Sequence, residues 1–303
     1  MSGKKYSDRE FILTSYERHE NQYDADSGER GTAAKRLDRK TVDAYRHREM
    51  YETITPMIES DPNSSWLTVG DGKYGSEARF LSEKGADALP TDISTDLLEA
   101  AKSAGYITEY SKENAESLSF DDGAFEYVLC KESYHHFPRP MVALYEMLRV
   151  ARKAVVLIEP QDSYVERTLR MRLFHHAVNI LADSLPSGLR RNDFERIGNY
   201  KYTISRREIE KVALGLNHKT IAFRGINDAY VSGVEDELMN EDGLAQRTVK
   251  RRILLKNMLS KVGVINHSLL TVVLFPSPPS SKLKEALSKS SFEVVSLPEN
   301  PYV

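Results

Sequence analysis

The stretch Trp66-Leu67-Thr68-Val69-Gly70-Asp71-Gly72-Lys73-Tyr74-Gly75 decides the fold. A short apolar strand, 66–69, runs into a glycine-rich turn, and 76–84 then reads as a helix. Glycine lets the backbone turn with positive φ and lets a ligand approach closely. The first turn of the helix presents free N–H groups that favour a carboxylate or a phosphate. Gly70, Gly72 and Gly75 spell G-x-G-x-x-G, and Asp92 follows Gly72 by twenty residues at the end of the next strand. An acid in that place can accept both hydroxyls of a ribose. The pair points to a nucleoside-containing cofactor, without choosing among the cofactors that contain one. A turn that only packs strand against helix is the competing reading.

Strands and helices alternate outward from this turn. Strands are expected at 86–92, 107–110, 125–130 and 154–158, with helices at 96–104 and 141–150, Pro140 suiting the first turn of the latter. That rhythm implies a doubly wound α/β sheet, mostly parallel, with right-handed crossovers. After Pro160 the rhythm changes. A long helix is expected over 164–185, an irregular polar stretch to 202, a helix over 205–214 with Ser205 and Glu208 as a capping box, and a basic helix over 243–262. Two further strands, 220–224 and 269–275, and a tail with a helix at 282–288 and a short strand at 292–297 complete the chain. On the other side, 1–35 reads as a polar arm. A loosely helical stretch, 32–59, is interrupted by Pro56. The domain reading is therefore an arm and helix over 1–60, one α/β domain over 61–280 with insertions at about 161–204 and 235–263, and a tail over 281–303.

Composition excludes several classes. The 303 residues are 40% apolar and 29% charged, which is globular composition. The formal net charge of -3 gives no global attraction to nucleic acid or acidic membranes. One cysteine, Cys130, cannot form an internal disulfide or a cysteine-based zinc site, and it lies in an apolar run that suits packing. The first residues lack an apolar signal core, and no stretch approaches the ~20 apolar residues of a membrane span, so a cytoplasmic protein without a membrane partner is expected.

The stretch Asn114-Ala115-Glu116-Ser117-Leu118-Ser119-Phe120-Asp121-Asp122-Gly123-Ala124-Phe125-Glu126-Tyr127-Val128 resembles the class I methyltransferase segment that precedes strand four. His135-His136-Phe137 resembles the His-His-aromatic that follows that strand, and Glu146-Met147-Leu148-Arg149-Val150 resembles the helix leading to strand five. The resemblance covers about 64–160 and, more faintly, 200–275. It implies a Rossmann-like seven-stranded sheet whose last strand is antiparallel. The implied cofactor is S-adenosylmethionine, with S-adenosylhomocysteine as product. The implied cofactor residues are Gly70, Asp71, Gly72, Asp92, Ile93, Asn114, Ala115 and Lys131. The family's acid two residues before the first glycine is Thr68 here, with Asp71 the nearest replacement. Asn114 stands for the commoner aspartate, and Ala151-Arg152-Lys153-Ala154 for a Pro-Gly turn.

Acceptor chemistry is expected at the carboxyl edge of the sheet. His135 is the candidate base, with Glu132 beside it. Tyr134, His136 and Glu159 are candidate acceptor contacts. Local packing of the two histidines is the competing reading. Adjacent residues on an extended chain point apart, so no metal site is expected. His175-His176 reads as a solvated or packing feature. Arg190, Arg191 and Arg196 could hold an acidic acceptor or be a solvated face. The basic run 248–256 lacks the aromatics of an RNA surface, and Ile253 and Leu254 read as its buried side. The expected function is methylation of an oxygen or nitrogen of a small-molecule acceptor, a sugar-like one among the candidates, with a homodimer left open. The alternatives are a scaffold with a degenerate cofactor site, an RNA methyltransferase, and a dinucleotide-dependent oxidoreductase resting on the literal glycine motif.

Overall fold

A computed structural model of the chain describes residues 7–21, 35, 40–162, 165, 194, 199–239 and 243–302. The expected helix over 164–185, His175-His176, Arg190, Arg191 and Arg196 lie outside the described residues, apart from position 165.

Near-continuous apolar runs make the central strands, as in sheets covered on both faces. They are β1 (Ser65–Val69), β2 (Asp87–Asp92), β3 (Ser111–Lys112), β4 (Phe125–Lys131), β5 (Ala151–Pro160), β6 (Thr220–Ile226), β7 (Leu269–Phe275) and β8 (Glu293–Ser296). The order is β3-β2-β1-β4-β5-β7-β6-β8. The pairs among β1–β5 are parallel, β7 runs antiparallel to both β5 and β6, and β8 pairs antiparallel with β6. The sheet thus has eight strands where seven were expected, because the tail adds β8 at the edge. The strand order reverses between β1 and β4, which opens a crevice at their carboxyl ends.

Alternation along the strands divides the core in two. Leu67, Val128, Cys130, Val155 and Leu157 face α6 (Pro140–Val150) and α7 (Arg206–Gly215). Trp66, Tyr127, Leu129, Val156 and Ile158 face α2 (Val42–Tyr51), α3 (Thr55–Ser60), α4 (Ser76–Glu83) and α9 (Ser281–Lys289). Cys130 is buried within the first layer. The remaining helices are α1 (Asp8–Glu20), α5 (Asp96–Ser103) and α8 (Leu244–Lys261). Among the described residues no helix is long and apolar enough to cross a membrane.

Three expectations change. Residues 8–20 form a helix rather than an arm. Ser7 caps it in a capping box with Glu10, while its polar sequence gives no apolar stripe to read. The third strand lies at Ser111–Lys112 instead of 107–110, because the apolar signal of Ile107 comes from packing on Leu98 and Ala101. The helical stretch 32–59 divides into α2 and α3, with Pro56 in the first turn of α3.

Candidate active site

The turn after β1 is fixed by close contacts that only glycine permits. Gly70 has φ 78°, and a Cβ there would lie 2.4 Å from Ser133 Cβ. A Cβ on Gly72 would lie 2.6 Å from Asp92 Cγ. Asp92 accepts from the Gly72 N–H at 2.9 Å and from the Ser94 N–H at 2.9 Å. Burial pushes its carboxyl up to about 6, against the pull of these backbone donors. Ile93 is half-buried beside it.

Asp71, the nearest replacement for the acid missing at Thr68, is turned toward the following helix. It accepts from Thr68 Oγ1 at 2.8 Å and from the Glu77 and Ala78 N–H groups at 3.2 and 2.9 Å. Its side chain is buried against the first turn of α4 and caps that helix. Burial, and then the charge of Glu77, push its carboxyl well up.

Lys131, at the end of β4, is the centre of a buried charge cluster. Its ammonium lies 3.2 Å from Glu77 Oε1, 3.1 Å from Glu132 Oε2 and 2.9 Å from His47 Nδ1. Burial opposes the charge on Glu77, but Lys131 and a hydrogen bond from Asp71 hold its carboxyl below the usual range. Glu132 has φ 50°, a left-handed backbone that a non-glycine residue rarely adopts. The helix α2 supplies His47, and its Arg46 pairs with Asp43 at 2.7 Å and with Asp228. Sequence reading missed Asp43, Arg46, His47 and Glu77. The signal was present in the first three, spaced by three and one, which places titratable groups on one helical face.

The loop after β3 is equally constrained. Asn114 Oδ1 accepts from the Glu116 N–H at 3.0 Å, and Ala115 is buried. Glu116 accepts from the Arg139 N–H at 2.7 Å, Arg139 Nε at 2.6 Å and the Tyr16 hydroxyl at 2.7 Å. Tyr16 belongs to α1, so this helix is tied to the loops after β3 and β4. Ser15 to Asn199 at 2.8 Å adds a second tie.

The histidine doublet lies in a single 3-10 turn, Tyr134–His136, rather than on extended chain, and the two rings are 4.1 Å apart. His135 Nδ1 lies 2.7 Å from Glu159 Oε2. Glu159 Oε1 accepts from the Ser133 and Tyr134 N–H groups at 2.8 and 2.9 Å. Two residues expected to contact an acceptor are buried here. Glu159 is fully buried and engaged on both oxygens. Tyr134 is 1% exposed and packs in the core with α6 and α7. His136 is half-buried, and its carbonyl accepts from Asn199 Nδ2 at 2.6 Å.

A reversed penultimate strand, a glycine turn closed against an acid, and titratable groups at the carboxyl edge mark a Rossmann-like sheet. Residues 67–158 match the family model described as a methyltransferase domain, which indicates an S-adenosylmethionine-dependent methyltransferase. Comparison with curated proteins finds no match. Similar solved structures include a SAM-dependent methyltransferase from Methanosarcina mazei, at 16% identity and TM-score 0.45 over 73% of this chain and 96% of that one. Another, from Archaeoglobus fulgidus, is 11% identical with TM-score 0.47 over 75% and 93%. Magnesium protoporphyrin IX methyltransferase from Synechocystis, with bound SAH, is 13% identical with TM-score 0.43 over 76% and 84%.

Proposed function

We propose that the protein methylates a hydroxyl oxygen of a small-molecule acceptor, with His135 as general base. The observation that carries this reading is the 2.7 Å contact between Glu159 and His135 Nδ1. A carboxylate already accepting two backbone N–H groups can only accept again, so the imidazole proton is assigned to Nδ1. Nε2 then holds the lone pair that can take a hydroxyl proton, and Glu159 stabilises the imidazolium that results.

The residues of the crevice fit the cofactor. The Asp92 carboxylate, beside the Gly72 turn, would accept the hydroxyls of the ribose. Asn114, Ala115 and Ile93 are the residues that would hold the adenine. Lys131, Glu132, Glu77 and His47 offer charges of both signs, which suits the zwitterionic end of an amino acid. When bound, S-adenosylmethionine supplies a methyl group already activated on a sulfonium. The remaining work of the chain is alignment, shielding from water and removal of one proton. Glu132 is better suited to cofactor recognition than to the catalytic role expected for it, because its carboxylate is tied to Lys131.

The acceptor class is tested by incubating the protein with the cofactor and a panel of hydroxyl and amine acceptors, reading S-adenosylhomocysteine release. Turnover of a hydroxyl acceptor that His135→Gln abolishes supports the reading. Turnover that His135→Gln leaves intact overturns the base assignment. A folded protein that binds cofactor and methylates nothing would favour the scaffold reading.

A further inference from the structure

The helix α8 carries an exposed face that the methyltransferase reaction does not use. Its eighteen residues include Arg247, Lys250, Arg251, Arg252, Lys256 and Lys261 and no acid at all, in a chain whose net charge is -3. The helix docks through Ala245, Gln246 and Val249, which are buried, and through Lys256, whose ammonium reaches the Asp228 carbonyl at 2.7 Å. Leu254 was expected on the buried side, yet it is 62% exposed, with Leu255 at 55%, Met258 at 60% and Val262 at 70%. At 100° per residue these four side chains fall within one arc, and Arg247 and Arg251 continue that arc toward the N-terminus. The outward face is therefore an apolar stripe set in a purely cationic frame.

We propose that this face docks on an anionic lipid bilayer, with α8 lying in the plane of the interface. Each half of the face has its own partner there: the four large aliphatic side chains enter the acyl boundary and the cations meet lipid phosphates. A second copy of the chain fits poorly, because a two-fold contact through this face would set its cations against the same cations. A nucleic acid fits poorly as well. The helix presents no aromatic side chain for base stacking, and exposed aliphatic groups gain nothing from a phosphate backbone. The apolar stripe and the charge must act together, since either alone gives weak, reversible attachment.

The experiment is flotation of the full-length protein with vesicles of phosphatidylcholine alone, and with about one third of the lipid replaced by phosphatidylglycerol. Two exposed pairs are varied separately, Leu254→Ser with Met258→Ser, and Arg247→Gln with Arg251→Gln. Unchanged S-adenosylhomocysteine affinity shows that each variant is folded. The protein is expected to float with the anionic vesicles and not with phosphatidylcholine alone. Each pair of substitutions is expected to lower its partition by at least about tenfold. Absence of flotation by the unaltered protein overturns the proposal. So does flotation that the serine pair leaves undiminished, which would assign the face to polyanions in general. A fall in oligomer mass in the serine variant, without flotation of the parent, would assign it to a second copy and would equally overturn the bilayer reading.

Discussion

At Asp92, burial and backbone donors pull in opposite directions, and burial prevails, placing the carboxyl at about 6. Above that pH the group is a carboxylate able to accept from a ribose. Below it a proton occupies one of its acceptor sites. The folded value is raised relative to an unfolded aspartate, so folding gains stability as pH falls from about 6 toward the ordinary carboxylate range. Cofactor affinity moves the other way on the same descent. S-adenosylhomocysteine binding is expected to weaken by up to about tenfold per pH unit below 6, and Asp92→Asn is expected to lose this dependence. Titration calorimetry at several pH values checks both. His135→Gln is expected to lower turnover by about 10²–10⁴-fold while cofactor affinity stays within about twofold, as read by initial rates and calorimetry. The Asp92 position was legible from spacing alone. The burial of Asp71, Tyr134 and Glu159 was not, because sequence does not say whether a polar side chain faces the crevice or the turn behind it.

At the scale of elements, β1, β4 and β5 were legible because a strand covered on both faces is apolar throughout. The helix α1 was not, and α2 was legible only loosely. The first is polar along its length, and its ties are single hydrogen bonds such as Tyr16 to Glu116 at 2.7 Å. The second buries Asp43, Arg46 and His47 and so shows no apolar stripe over half its face. Tyr16→Phe removes a donor to a buried carboxylate and is expected to cost about 1–3 kcal/mol in the local stability of α1. Faster amide exchange over residues 8–20, with α6 unchanged, is the expected reading. The glycine turn gives a sharper case. Gly70→Ala must relieve both a positive φ and a 2.4 Å approach to Ser133, so a stability loss above about 1 kcal/mol is expected in denaturant unfolding.

For the whole molecule, one sheet with helices on both faces carries the crevice, and its two packed layers set its rigidity. Leu157 is fully buried on the central strand β5, and Leu157→Ala is expected to cost about 2–5 kcal/mol. Trp66 is the only tryptophan and stacks on Tyr127 at 4.5 Å, so its fluorescence reports loss of the layer it occupies. The doubly wound topology followed from the order of strands and helices in the chain. The tail strand was legible, but its place beside β6 and the outward face of α8 depend on how distant segments pack, which no local period encodes. The most direct test is calorimetric titration of the protein and of Asp92→Ala with S-adenosylhomocysteine. One saturable site, weakened at least about a hundredfold by the substitution in a protein that remains folded, is the expected result. A folded parent protein that binds nothing, or a variant that binds as tightly as the parent, would contradict the assignment of this crevice to the cofactor.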